Sequence, residues 1–278
     1  MRTIVIAGAA ALAACGVLGM APAAVQASSA SVPTWTQQHP ASHPPARFEA
    51  AMAYDKATGT IVLFGGQTSG DRKVFADTWT WNGSTWTKQA PATHPPARFA
   101  AAMAYDAATG TIVLFGGDIK TGVVADTWTW NGSTWTKQAP ATHPPARSQT
   151  SMAYDAATGN LMLFGGDAAP GGVGGTWTWN GSTWTKQAPS SSPPARSGAS
   201  MAYDAATGTV VLFGGFGFRI FGDTWTWDGS AWTQHHYRIA PSARGGASMA
   251  YDAATGTVVL FGGFTKRDRN ASDTWTWG

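Results

Sequence analysis

Five arginines recur at matching places along the chain: Arg47, Arg98, Arg147, Arg196 and Arg244, each a few residues before the end of a Met-Ala-Tyr-Asp tetrapeptide. A guanidinium offers five donors in a planar fork and stays charged at physiological pH, so such a set around one opening would suit carboxylate, sulfate or phosphate ligands. The same repetition allows another role, in which each arginine bridges neighbouring repeat units through a backbone carbonyl. Further cations, Arg72, Lys73, Lys120, Arg219, Lys266, Arg267 and Arg269, stand in segments that differ from repeat to repeat, with Phe75, Phe216, Phe218, Phe221 and Phe264 among them. Asp71, Asp118, Asp167 and Asp268 partly offset their charge. The candidate ligand-binding residues are therefore the five repeat arginines together with Arg72, Lys73, Lys120, Arg219 and Arg267.

Other chemistries find less support. His43, His94 and His143 look like a metal set until they are seen as copies of one position in "HPPAR", where the other repeats have Ser192 and Ala240. They read as loop histidines before a proline turn, and His235-His236 would point apart in an extended chain, so no metal site is expected. Glu49 is the only glutamate, and most aspartates are repeat copies: Asp55, Asp106, Asp155, Asp204 and Asp252 in turns, and Asp77, Asp126, Asp223 and Asp273 before "TWTW". A hydrolytic site needs two carboxylates in different environments. Glu49 with Asp71 or Asp268 is the one asymmetric combination.

The N-terminus reads as an export signal. Arg2 precedes an apolar stretch, Ile4 to Met20, which gives way to the small-residue site Val25-Gln26-Ala27, so residues 1–27 are expected to be a secretory signal peptide and 28–278 the folded domain. The one cysteine, Cys15, lies in "LAAC", which resembles a lipobox and offers lipidation as an alternative. After cleavage at Ala27 the chain has no cysteine, so neither disulfides nor thiol chemistry are available. A net charge of +3 on 278 residues lacks the strongly basic stripe that nucleic acid calls for, and no later segment is apolar enough to span a membrane.

The elements that must hold these residues follow from a repeat of close to fifty residues. Five copies of an apolar run end in Gly-Gly (Gly65-Gly66, Gly116-Gly117, Gly165-Gly166, Gly214-Gly215 and Gly262-Gly263), and each is followed by "TWTW". In the second copy, Ala100 to Tyr105 reads as a small-residue strand and Thr111 to Phe115 as a buried one, joined by a turn in "DAATG". Thr127 to Trp130 and Thr134 to Lys137 form a hairpin across "NG". Turn chemistry also accounts for the glycosylation sequons at Asn82, Asn131 and Asn180. Four contiguous tryptophan triplets, such as Trp128/Trp130/Trp135, place three indoles on one face of each sheet. Such a slab is buried when sheets stack around an axis, with the small-residue strands innermost. A fifth triplet is split between Trp35 near the start and Trp275 and Trp277 at the end, which implies a ring whose last sheet is completed by a strand around Thr34 to Gln37.

These motifs, an apolar run ending in Gly-Gly and then two aromatics seven positions apart as in Trp128 and Trp135, resemble the kelch-repeat β-propeller family. The resemblance implies an all-β, five-bladed kelch-type β-propeller of four-stranded antiparallel blades, with the chain departing from the usual third-strand tyrosine, which is tryptophan here. It covers binding scaffolds and a few enzymes. Galactose oxidase, one of those enzymes, needs a cysteine cross-linked to a copper-ligating tyrosine, which this chain cannot supply, so no cofactor is expected. The expectation is a secreted, monomeric, non-catalytic propeller that recognises a glycan or an extracellular protein, possibly an acidic one, through its variable loop face. The alternatives are a sugar-acid isomerase-like enzyme, with a mouth arginine holding the carboxylate and Glu49 as base, or a structural envelope protein.

Overall fold

The structure is a computed structural model that describes residues 36–168, 171–266 and 270–278. Its chain falls into two units, Met1–Gln38 and His39–Gly278. Of the first, only Thr36–Gln38 is described, an exposed stretch in which the Gln38 side chain donates to the Thr36 carbonyl. The export signal and Trp35 lie outside the described residues.

The second unit is all-β, with no helix among the described residues. Four blades are four-stranded antiparallel sheets in sequence order, and the fifth shows three strands. In blade 2 the strands are Ala102–Asp106, Thr111–Phe115, Thr127–Trp130 and Trp135–Gln138, close to the expected bounds. The first turn forms because Asp106 accepts the Ala108 amide on its side chain at 3.0 Å and the Gly110 amide on its carbonyl at 2.9 Å. The hairpin between the tryptophan strands is a four-residue loop, in which Asn131 Oδ1 accepts the Ser133 and Thr134 amides at 3.0 and 2.9 Å and Gly132 takes a φ of 95°. Blade 4 makes the same turn with Asp228 in place of asparagine.

In blades 2 to 4 the indoles bury where expected, against the preceding blade, whereas Trp81 and Trp86 of blade 1 and Trp275 and Trp277 of blade 5 are only partly buried. Trp130 and Trp135 stand opposite one another in the hairpin and are fully buried. Trp135 meets Phe64 of blade 1 edge-on, with ring centroids 5.4 Å apart, and its N–H donates to Thr78 at 2.9 Å. Trp184 repeats this on Phe115 and Thr127, and Trp232 on Phe164 and Thr176. Burying one tryptophan removes about 150–250 Å² from water, an upper-bound gain of about 4–6 kcal/mol, so these contacts dominate the joint between blades.

The small-residue first strands pack side by side from blade 1 to blade 5, and each stays close to its neighbour because Ala and Ser leave room. At one mouth of this inner ring, main-chain hydrogen bonds run from blade to blade: Ala100 N to Glu49 O, Gln149 N to Ala100 O, Gly198 N to Gln149 O and Gly246 N to Gly198 O, at 2.7–2.9 Å. Glu49, Ala100 and Gln149 adopt φ near 50° to make them. Between blades 5 and 1 no comparable joint is found among the described residues. Phe261 is 51% exposed, where its counterparts Phe64, Phe115, Phe164 and Phe213 are at most 3% exposed. Beside Trp277, a cavity of about 340 Å³ over Phe213 and Thr224 occupies the position that a fourth-strand tryptophan fills in blades 2 to 4.

Candidate ligand-binding face

The Gly-Gly corners, the loops that follow them and the five repeat arginines lie at one end of the propeller, because an antiparallel meander returns there after its second and fourth strands. The first four corners are close approaches to the next blade. Gly116 has a φ of 66°, and a Cβ on it would stand 2.4 Å from the carbonyl oxygen of Arg147 in the next blade, so only glycine fits. That carbonyl accepts the Gly117 amide at 2.9 Å, and the Arg147 amide donates back to Val124 at 3.2 Å. The main chain of Arg98, Arg147, Arg196 and Arg244, rather than the guanidinium, therefore ties each of their blades to the one before.

The guanidinium works within its own blade. Arg98 donates from Nη1 to the Gly116 carbonyl at 2.8 Å and to Asp126 at 2.6 Å, and from Nη2 to the other Asp126 oxygen at 2.9 Å. The Trp128 indole N–H completes that carboxylate at 2.8 Å. The same bidentate pair joins Arg47 to Asp77, Arg196 to Asp223 and Arg244 to Asp273. Burial alone would raise the Asp77, Asp126 and Asp223 carboxyls, but hydrogen bonds from the paired arginines and indoles overcome it and hold all three below the usual carboxylate range. In four blades, then, a candidate ligand-binding arginine is buried and already holds a carboxylate of its own. The sequence showed which aspartates precede "TWTW" but gave no sign that they were the arginines' partners. Arg147 differs, since its blade has Gly175 at the aspartate position, a gap visible in the sequence as one missing aspartate among five.

The variable loops present the exposed cations. Arg72, Lys73, Lys120, Arg219 and Lys266 all face solvent, while Arg267 and Arg269 lie outside the described residues. Arg219 stands 5.4 Å from both the Phe218 and Phe221 rings, and Phe218 itself is 81% exposed. Lys73 lies 5.2 Å from the buried Phe75 ring, which Arg47 covers from 3.9 Å. Phe216 and Phe264, from the loops of blades 4 and 5, approach to 6.2 Å. Each loop keeps its own cations, so the arrangement is a dispersed positive rim with aromatic patches.

The groups considered for catalysis and metal binding are not gathered. Glu49 accepts a hydrogen bond from Gln67 at 2.8 Å at the exposed mouth, Asp71 is held by Thr68 and the Lys73 amide, and Asp268 is not among the described residues. His43, His94 and His143 each place Nδ1 about 3 Å from the carbonyl of the following proline. His235 bonds to Thr226 and stacks on Tyr237, with burial and neighbouring His236 lowering its pKa. Among the described residues, no three His, Cys, Asp or Glu side chains converge as metal ligands, and no helix is long and apolar enough to cross a membrane.

Comparison with known proteins agrees with this geometry. No curated protein sequence matches the chain. Among solved structures, one titled "Structure of YjhT" superposes with a TM-score of 0.64 at 16% identity, covering 82% of this chain and 80% of that one, which is a likeness of fold. The family model described as the KLHDC2/KLHL20/DRC7 Kelch-repeats domain matches residues 24–168, just over half the chain. With five in-register repeats folded as propeller blades, the chain belongs to the kelch-repeat β-propeller family.

Proposed function

We propose that this protein is an exported, non-catalytic binding propeller that docks an acidic partner, protein or glycan, on its variable loop face. The observation that carries this reading is the contrast within one end of the molecule: four of the repeat arginines are buried and held in ion pairs, while the described cations that vary between blades are exposed, Arg219 and Lys73 beside aromatic rings. Exposed aromatic surface next to guanidinium and ammonium groups suits a partner that offers both carboxylates and apolar contact. Export is supported by the Arg2-led apolar stretch and the Ala27 site, and a kelch propeller is a scaffold for binding or structure.

The test uses purified protein with poly-glutamate, polygalacturonate and neutral dextran as probes. One or both acidic polymers should bind with an affinity that falls as salt rises, and dextran should not. Equal binding of dextran, or no binding to either acid, would contradict the reading. Turnover of a sugar acid would favour the isomerase-like alternative.

A further inference from the structure

In blades 1, 2, 4 and 5 the arginine fork closes on an aspartate, and the same carboxylate accepts an indole N–H. Blade 3 keeps the arginine and the indole but lacks the acid. Arg147 is 3% exposed and Trp177 9% exposed, so both are more than nine-tenths buried. Arg147 Nε donates to the Pro145 carbonyl at 3.0 Å and Nη1 to Gly165 at 2.9 Å, with a longer contact of 3.4 Å to Gly174. Among the described residues, Nη2 and the Trp177 N–H find no acceptor.

The space between them is open. A Cβ on Gly175 would meet nothing within 4 Å except Trp177 Nε1, at 3.7 Å. Gly175 also takes a φ of 99°, where an aspartate would be strained, so the blade in this conformation does not supply its own acid. Nor is the position sealed, since the aspartates of blades 1, 2 and 4 keep 13–16% of their side-chain surface in solvent.

We propose that blade 3 contains a receptor for a single carboxylate group brought by a ligand, with Arg147 and Trp177 as its donors. Blade 2 supplies the template: one oxygen on Nη1, the other shared by Nη2 and the indole, as Asp126 sits at 2.6, 2.9 and 2.8 Å. Two in-plane oxygens satisfy this fork and its neighbour, whereas a tetrahedral oxyanion would bury further oxygens without donors. Burial without a counter-charge lowers the Arg147 pKa to about 10, a penalty that a bound carboxylate would offset. The site lies at the base of the blade-3 loop. It sharpens the loop-face reading by naming one group of the partner, and rests on that reading only for the partner's identity.

The experiment follows the indole N–H resonances of the 15N-labelled protein while acetate is added, with Trp177 assigned by its loss in Trp177→Phe. Acetate should shift the Trp177 resonance saturably, and chloride at equal ionic strength should not. Arg147→Lys, which cannot offer the fork, should weaken acetate by about tenfold or more. No shift, an equal response to chloride, or an unchanged affinity in Arg147→Lys would overturn the proposal; the wild-type titration decides alone if that variant does not fold. Glucuronate and N-acetyl-aspartyl amide form two further arms, and tighter binding of one points to a glycan or a protein as the natural source. Acid polymers that still bind a protein whose Trp177 ignores acetate would sink the blade-3 site and leave the loop-face reading standing.

Discussion

At the scale of residues, the repeat arginines belong to the architecture. Four of the five, all but Arg147, place a charge inside the blade and neutralise it with an aspartate that is itself held by an indole, so removing either partner leaves the other uncompensated. Asp126→Ala should cost about 3–5 kcal/mol, measured by denaturant unfolding, because Arg98 is 1% exposed and has no second carboxylate. An unchanged midpoint would show the pair to be dispensable. The same pairs set an acid limit. Asp77, Asp126 and Asp223 titrate below the ordinary carboxylate value when folded, so their contribution is complete above the unfolded pKa of about 3.9. It is lost as pH falls through the lower, folded values. Unfolding monitored against pH should therefore steepen below about pH 4 in the parent and less so in Asp126→Ala.

At the scale of elements, the joint between blades is one contact used repeatedly: an indole laid on the preceding blade's phenylalanine, with its N–H on a threonine. The two parts can be separated. Trp135→Phe retains the ring but loses the bond to Thr78 and should cost about 1–2 kcal/mol, whereas Trp135→Ala removes the slab and should cost about 3–5 kcal/mol. Equal losses would mean that the hydrogen bond, not the packing, holds the joint. Much of this was legible in the sequence, because alternation and tight hairpins fix which side of a strand an indole occupies. Both tryptophan strands, the turn aspartates and the mouth position of the arginines could be read from local pattern. The arginines' partners could not, since the link from Arg98 to Asp126 spans 28 residues and depends on how the Gly-Gly corner folds back. The missing acid of blade 3 was present in the sequence as Gly175, and acquires meaning only once that link is known.

At the scale of the molecule, the proposed function assigns stability to the blades and recognition to the loops. Arginine–aspartate pairs recur in four blades and fully buried hairpin indoles in blades 2 to 4, while the loops after Gly-Gly vary and carry exposed cations. The joint between blades 5 and 1 is the exception to the repetition: Phe261, Trp275 and Asp273 are more exposed than their counterparts. The expected completing strand around Trp35 falls largely on residues outside those described. Recognition through the loop end can be read from the affinity for poly-glutamate of two double variants. Lys73→Ala with Arg219→Ala alters the loop face, and Lys88→Ala with Lys186→Ala removes equally exposed charge from the outer strands. All four sites are exposed, so each variant should keep the parent's unfolding midpoint to within about 1 kcal/mol. The loop variant should bind about tenfold more weakly, equivalent to about 1.4 kcal/mol, while the outer-strand variant should bind like the parent. Equal weakening of both would show attraction by net charge alone, and loss confined to the outer-strand variant would put the binding surface elsewhere.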